Sequence, residues 1–207
     1  MRPSLLLFVC AGLAAGQSAT ADRSKAADYP VSASAERADI GAEFLVHSIP
    51  SARGYYLAKT FLVVEAGVFP KGLPLKVSAG QFTLRLNGAS QPLLAQSPGT
   101  VAASLKYPDW EMPRGFSASA SAGNVGISTD RQPVGRFPDD RRAPVSNRDQ
   151  DNDIDYQISL VEFPAAVTAE PAKGCLFFAS DIKAKKIRSL ELEWTGPAGE
   201  RATLKLR

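Results

Sequence analysis

The sequence predicts an all-β chain, an antiparallel sandwich or barrel of about seven or eight short strands with a long irregular insertion. Three observations point there. In the last part of the chain, Leu190, Leu192 and Trp194 alternate with Glu191 and Glu193. After the loop TGPAG (195–199), Leu204 and Leu206 alternate with Thr203 and Lys205, so the stretch reads as a hairpin with one wet face. Earlier, Phe82, Leu84 and Leu86 alternate with Thr83 and Arg85 and stop at Asn87-Gly88, the dipeptide that best tolerates the positive φ values of a type I′ turn. The joints between such runs are rich in turn residues, and helical signals are few.

Taken in order, the chain begins with Arg2 and the apolar run LLLFVCAGLAA (5–15), followed by small residues ending in Ala19-Thr20-Ala21. This is the pattern of a secretory signal peptide, too short in its apolar part to span a bilayer as a stable helix. The expectation is export to the periplasm or the extracellular space after cleavage near Ala21. Lipid attachment at Cys10 fits poorly, because Val9 stands where such processing needs a small residue and Cys10 lies midway along the apolar run. Residues 22–40 lack periodicity and read as a mobile spacer, which starts the domain near Gly41 and carries it to residue 207.

Within that domain, residues 44–46 form a first strand and residues 55–69 a long second one, apolar at nearly every position, as expected of a central strand covered on both sides. Residues 91–96 return after the Asn87-Gly88 turn, and residues 101–106 form a single helical turn before Pro108. From 113 to 153 the composition shifts to glycine, proline, serine, arginine and aspartate with scattered apolar residues. This irregular insertion lacks the apolar area to offset the entropy of ordering it. Alternation resumes at residues 156–160, read as a strand, and three strands close the chain.

Charge excludes little by itself. The 24 basic residues face 21 acidic ones, and the leader removes only Arg2 from the count, so the processed chain is nearly balanced. The single dense cluster is Lys183, Lys185, Lys186 and Arg188, which reads as a solvated turn between strands; nucleic acid is not an expected partner. Cys175 is the one cysteine left after the leader and sits in the run CLFFA (175–179), where it reads as a buried small hydrophobe.

Candidate chemistry is sparse. The sole histidine, His47, follows an apolar strand and reads as a satisfied edge residue; no G-x-S-x-G elbow or phosphate-binding glycine loop accompanies it. One histidine and one cysteine do not make a zinc site. Asp149, Asp151, Asp153 and Asp155 would line one face if extended, an arrangement suited to calcium. Yet Ile154 and Leu160 stand where an EF-hand loop needs glycine and glutamate, so a solvated lead-in is the plainer reading. Tyr107, Trp110 and Phe116 could form a sugar-stacking platform, or a plug for the open end of the sandwich. No catalytic, cofactor-binding or metal-ligating residue is assigned, and no cofactor is expected.

The segments QFTLRLNG (81–88), QPLLAQSPGTVAASLKYPDW (91–110) and KKIRSLELEWTGPAG (185–199), with GRFPD (135–139) between them, resemble a family of uncharacterised exported bacterial proteins. The resemblance covers roughly residues 41–207. It implies a telokin-like, immunoglobulin-like β-sandwich, also seen in secreted mycobacterial-type antigens, and it carries over no activity or catalytic residue. Cys175 stands where the family has an aromatic. The expected function is non-catalytic binding of a protein or an envelope polymer through the irregular 97–150 region, with no stable membrane insertion of the processed chain. The rival expectations are a carboxylate-dependent hydrolase of envelope or extracellular polysaccharide built on Asp109, Glu111 or Asp139, and a purely structural domain.

Overall fold

The structure, a computed structural model, describes residues 23–51, 54–107 and 148–207, with side chains from Ile154 onward in the last stretch. Its regular structure is mainly antiparallel sheet, with two α-helices among the described residues. The first sheet has the order β1 (Val31–Ser34), β2 (Ala38–Val46), β5 (Phe61–Pro70), β10 (Ala172–Ala179). The second has the order β12 (Arg201–Lys205), β11 (Leu190–Thr195), β7 (Phe82–Leu86), β8 (Leu93–Leu94). Two small ribbons accompany them: β3 (Ser48–Ser51) with β4 (Gly54–Leu57), and β6 (Leu75–Val77) with β9 (Ala166–Thr168).

The two larger sheets face each other across the main core. Leu62, Val64, Ala66 and Val68 of β5 meet Phe82 and Leu84 of β7 and Leu190, Leu192 and Trp194 of β11, all fully buried. In the C-terminal hairpin Leu192 stands opposite Leu204 and Trp194 opposite Ala202, so the alternation puts leucines inward and charges outward. The other face of the first sheet is covered too. Phe61, Val63, Cys175 and Phe177 pack there against Ile49 of β3, Val101 and Ala102 of α1 (Pro98–Lys106), and Ile158 and Val161 of α2 (Arg148–Val161). This double cover explains why β5 is apolar at nearly every position.

Several expectations are corrected. Residues 22–40 are not a spacer: from Arg23 on they belong to the fold, with a 3-10 turn (Ala26–Asp28), all of β1 and the start of β2. Strand signals are faint there because β1 offers the core only Val31 and Ala33, and the part of β2 in this range is only Ala38, Asp39 and Ile40. The long strand expected at 55–69 is broken at residues 58–60, where the Ala58 N–H donates to the His47 carbonyl (2.8 Å) and the Phe61 N–H to the Ala58 carbonyl (3.0 Å). The returning strand at 91–96 shrinks to two residues.

The helical turn at 101–106 becomes the nine-residue α1. Its N-cap is Ser97, whose Oγ accepts from the Thr100 N–H (3.3 Å), with Pro98 next. Residues 156–160 are helix, not strand. Ile154, Ile158 and Val161 recur at helical spacing and face the core, whereas the Tyr156, Ile158, Leu160 alternation leaves Tyr156 and Leu160 exposed. The expected insertion therefore loses residues 148–153 to α2, and its remainder to 147 lies outside the described residues.

One close approach fixes where α2 ends. The chain leaving it crosses β10 at Gly174, with the Phe163 N–H donating to the Cys175 carbonyl (3.1 Å). A Cβ on Gly174 would collide with the Glu162 carbonyl group and come within 2.6 Å of the Phe163 Cα.

Candidate functional site

The densest grouping of ionisable side chains lies on the helix-side face of the first sheet, where its N-terminal segment folds back. Glu43 on β2 and Glu65 on β5 are direct cross-strand partners, and Cys175 on β10 stands beyond Glu65 in the same row. Two like charges side by side need a cation. Arg23 provides it, pairing with Glu43 at short range and lying 3.8 Å from Glu65, which is only 3% exposed. The guanidinium sits 4.2 Å from the centre of the Tyr29 ring, and the Lys173 ammonium donates to the Arg23 carbonyl (3.1 Å).

Each titrating group answers to this setting. Burial raises the Glu65 carboxyl above the usual range, the Arg23 charge offsets part of the rise, and the Glu43 charge adds to it. Burial would weaken the Arg23 cation, but the hydrogen bond to Glu43 and the charge of Glu65 outweigh it, so its pKa moves up. Burial first, then the Glu65 charge, push the Tyr29 hydroxyl and the Cys175 thiol upward. A thiol held protonated and 2% exposed is a packing residue, not a nucleophile. The cluster is closed but not fully satisfied, since Arg23 Nη1, the Tyr29 hydroxyl and Glu65 Oε1 are buried without a hydrogen-bond partner among the described residues, and it clamps residues 23–29 onto the sheet.

The residues singled out from sequence are scattered. His47 lies at the corner between β2 and β3, where its Nδ1–H donates to the Phe61 carbonyl (2.6 Å) and ties the end of β2 to the start of β5. The α-helical backbone of α2 takes away the single face that alternating aspartates would share in an extended segment. Of the four, Asp155 has a described side chain, and it pairs with Lys106 of α1. Asp109, Glu111, Trp110, Phe116 and Asp139 lie outside the described residues. Tyr107, at the end of α1, is exposed, as are Tyr156 and Leu160 one helical turn apart on α2. Lys183, Lys185, Lys186 and Arg188 are exposed around a 3-10 turn (Ala184–Lys186).

On the outer face of the second sheet a depression of about 340 Å³ lies between Arg85, Glu193, Arg201 and Thr203. Arg85 and Glu193 close an ion pair across it (3.0 Å), so the acidic side chain lining it is already neutralised. Among the described residues no three His, Cys, Asp or Glu side chains converge as metal ligands, and no helix is long and apolar enough to cross a membrane.

No protein-family model matches this chain, and no curated protein matches it. Among solved structures it is similar to YcdA, a candidate lipoprotein of Bacillus subtilis subsp. subtilis strain 168, at 14% identity over 88% of this chain with a TM-score of 0.39. The chain spans 38% of that structure's own chain. A likeness of that degree carries no inference about activity.

Proposed function

We propose that this chain is an exported immunoglobulin-like sandwich module that binds a protein or an envelope polymer without catalysis, through the side of the domain built by α1 and α2. The observation that carries this reading is the exposure of Tyr107, Tyr156 and Leu160 on that helix pair. Soluble surfaces seldom group tyrosine and leucine without use, since such side chains gain most when a partner covers them. The Lys106–Asp155 ion pair joins the two helices beside Tyr107 and Tyr156, so these rings stand on a rigid base.

The immunoglobulin-like, telokin-like part of the reading rests on strand order. In an immunoglobulin sandwich strand B pairs with E, C with F, and F with G. With β5, β7, β10, β11 and β12 taken as B, C, E, F and G, the ladders β5–β10, β7–β11 and β11–β12 follow that scheme. The short β8 flanks β7 as the added strand flanks C in variable-type domains. The chain departs from antibody domains in carrying its buried tryptophan, Trp194, on the F-like strand. Export rests on the leader sequence, residues 1–21.

The test is an affinity capture from the producing cell's own envelope with the processed chain, a Tyr156→Ser/Leu160→Ser variant and a chain lacking residues 113–147. Melting curves first establish that each is folded. Partners recovered by the processed chain and lost from either variant support the reading. Recovery of the same partners by all three sinks it.

A further inference from the structure

Two segments leave the first sheet at one end. β2 finishes opposite Val63, near the start of β5, and the β3–β4 hairpin is inserted between them. β10 finishes opposite Phe61, and the Ser180 N–H then donates to the Thr60 carbonyl (2.9 Å), so residues 180–189 start from the same place. The far end of that loop meets the Asn87-Gly88 turn of the second sheet, the Asn87 N–H donating to the Ser189 carbonyl (2.9 Å).

This end is cationic. Lys59, Lys183, Lys185, Lys186 and Arg188 are all exposed, and none makes an ion pair among the described residues. Arg23, Lys71, Arg85 and Lys106 elsewhere each face a carboxylate, whereas Lys76, Arg201 and Lys205 are exposed without an ion pair among the described residues but are not clustered along one loop. Asp181 is the one acidic residue in the 180–189 loop. The loop is also held in place. Ile187 is buried as its anchor, the Lys186 N–H donates to the Lys183 carbonyl (2.8 Å), and an Arg207 guanidinium N–H donates to the Ala184 carbonyl (3.2 Å). Asn87 Oδ1 accepts from the Arg188 and Ser189 N–H groups (2.6 and 3.1 Å). A cationic turn of fixed shape loses little entropy when it meets an anionic surface.

Apolar side chains accompany the charge. Tyr55 and Leu57, two residues apart on one side of β4, are 76% and 58% exposed, and β4 runs through Ala58 directly into Lys59. A free polyanion would use the lysines and leave Leu57 without a role. A bilayer interface uses both, taking tyrosine and leucine at the headgroup–acyl boundary while the cations meet anionic headgroups.

We propose that this end of the domain, whose β3–β4 hairpin rests through Ile49 on the helix pair, is a peripheral docking surface for a bilayer of anionic phospholipid, using side chains other than Tyr107, Tyr156 and Leu160. The test is co-sedimentation of the processed chain with vesicles of phosphatidylcholine alone or mixed with phosphatidylglycerol. The expected result is binding that requires phosphatidylglycerol and disappears at roughly 0.5 M salt. Lys183→Gln/Lys185→Gln/Lys186→Gln should weaken it about a hundredfold, and Tyr55→Ser/Leu57→Ser at least about tenfold. All these positions are exposed, and unchanged melting temperatures assign any loss to the surface. Absence of phosphatidylglycerol-dependent binding overturns the proposal, as does a triple variant that binds like its parent. Binding that is indifferent to Tyr55 and Leu57 and is competed away by soluble polyphosphate identifies a polyanion site and equally overturns it.

Discussion

Gly41 and Gly67 stand directly opposite each other across β2 and β5, and the ring of Tyr29 lies over the pair. A Cβ on Gly67 would come within 2.8 Å of the Tyr29 hydroxyl, and one on Gly41 within 2.7 Å of the Tyr29 Cγ. Two glycines side by side weaken a sheet by themselves. Here they form the floor on which the N-terminal segment lies, with Phe69 meeting the Tyr29 ring edge-on at 6.2 Å.

Gly41→Ala should therefore displace Tyr29 and lower stability by about 1–3 kcal/mol. For a domain of this size that is a fall in Tm of about 2–4 °C per kcal/mol. Tyr29→Ala should also destabilise, and because both changes undock the same ring, the double variant should lose less than the sum. Full additivity in thermal melts would show that the alanine acts through something other than Tyr29.

Glu65 sets a pH dependence. The folded-state pKa of Glu65 is raised by burial, so the folded protein holds that proton more tightly than the unfolded chain. Its contribution favours the fold at low pH and is lost as the pH rises through the folded-state value. Glu65→Gln removes a buried charge while Arg23 keeps its closer partner, Glu43. The variant should melt higher than the parent at pH 7, with the gap closing as the pH falls toward 4.5, the ordinary carboxylate value. Glu43→Gln should melt lower at pH 7, because Arg23 is then left with the more distant carboxylate. A Glu65→Gln protein less stable than the parent at pH 7 would mean that Arg23 depends on Glu65 instead.

The strands that sequence patterns locate are those whose outer faces are wet. β7, β11 and β12 alternate cleanly because Thr83, Arg85, Glu191, Glu193 and Thr203 face away from the core. α2 was obscured because Ile158 belongs to two patterns at once, the helical one with Ile154 and Val161 and the alternating one with Tyr156 and Leu160; burial decides for the helix. The N-terminal clamp left one trace, the lone carboxylate Glu65 inside an apolar strand. Such a residue demands a cation, but nothing in the spacing singles out Arg23, because the two are 42 positions apart and meet only through the pairing of β2 with β5 and the fold-back of residues 23–29.

Calcium should have no effect on stability. The helical backbone at 148–161 is not the oxygen-lined loop that the ion takes up, and Asp155 already holds Lys106. Millimolar calcium should leave the Tm of the purified chain unchanged by differential scanning fluorimetry; an increase that a chelator reverses would place a site on the aspartates after all.

Asn87 does two jobs that substitution can separate. Its backbone is in the left-handed region at φ 51°, followed by Gly88 at φ 70°, and the Ala89 N–H donates back to the Leu86 carbonyl (2.9 Å), as a type I′ turn requires. Its side chain meanwhile stitches the turn to the cationic loop, accepting from Arg188 and Ser189 and donating to the Lys186 carbonyl (3.2 Å). Asn87→Gly keeps the backbone free to adopt φ above zero and removes only the stitches, so it should cost about 1–2 kcal/mol. Asn87→Ala loses the stitches and adds left-handed strain, for about 1 kcal/mol more. Denaturant melts of the two variants read the difference. Equal losses would show that the turn conformation contributes nothing and that the whole effect lies in the hydrogen bonds to residues 186–189.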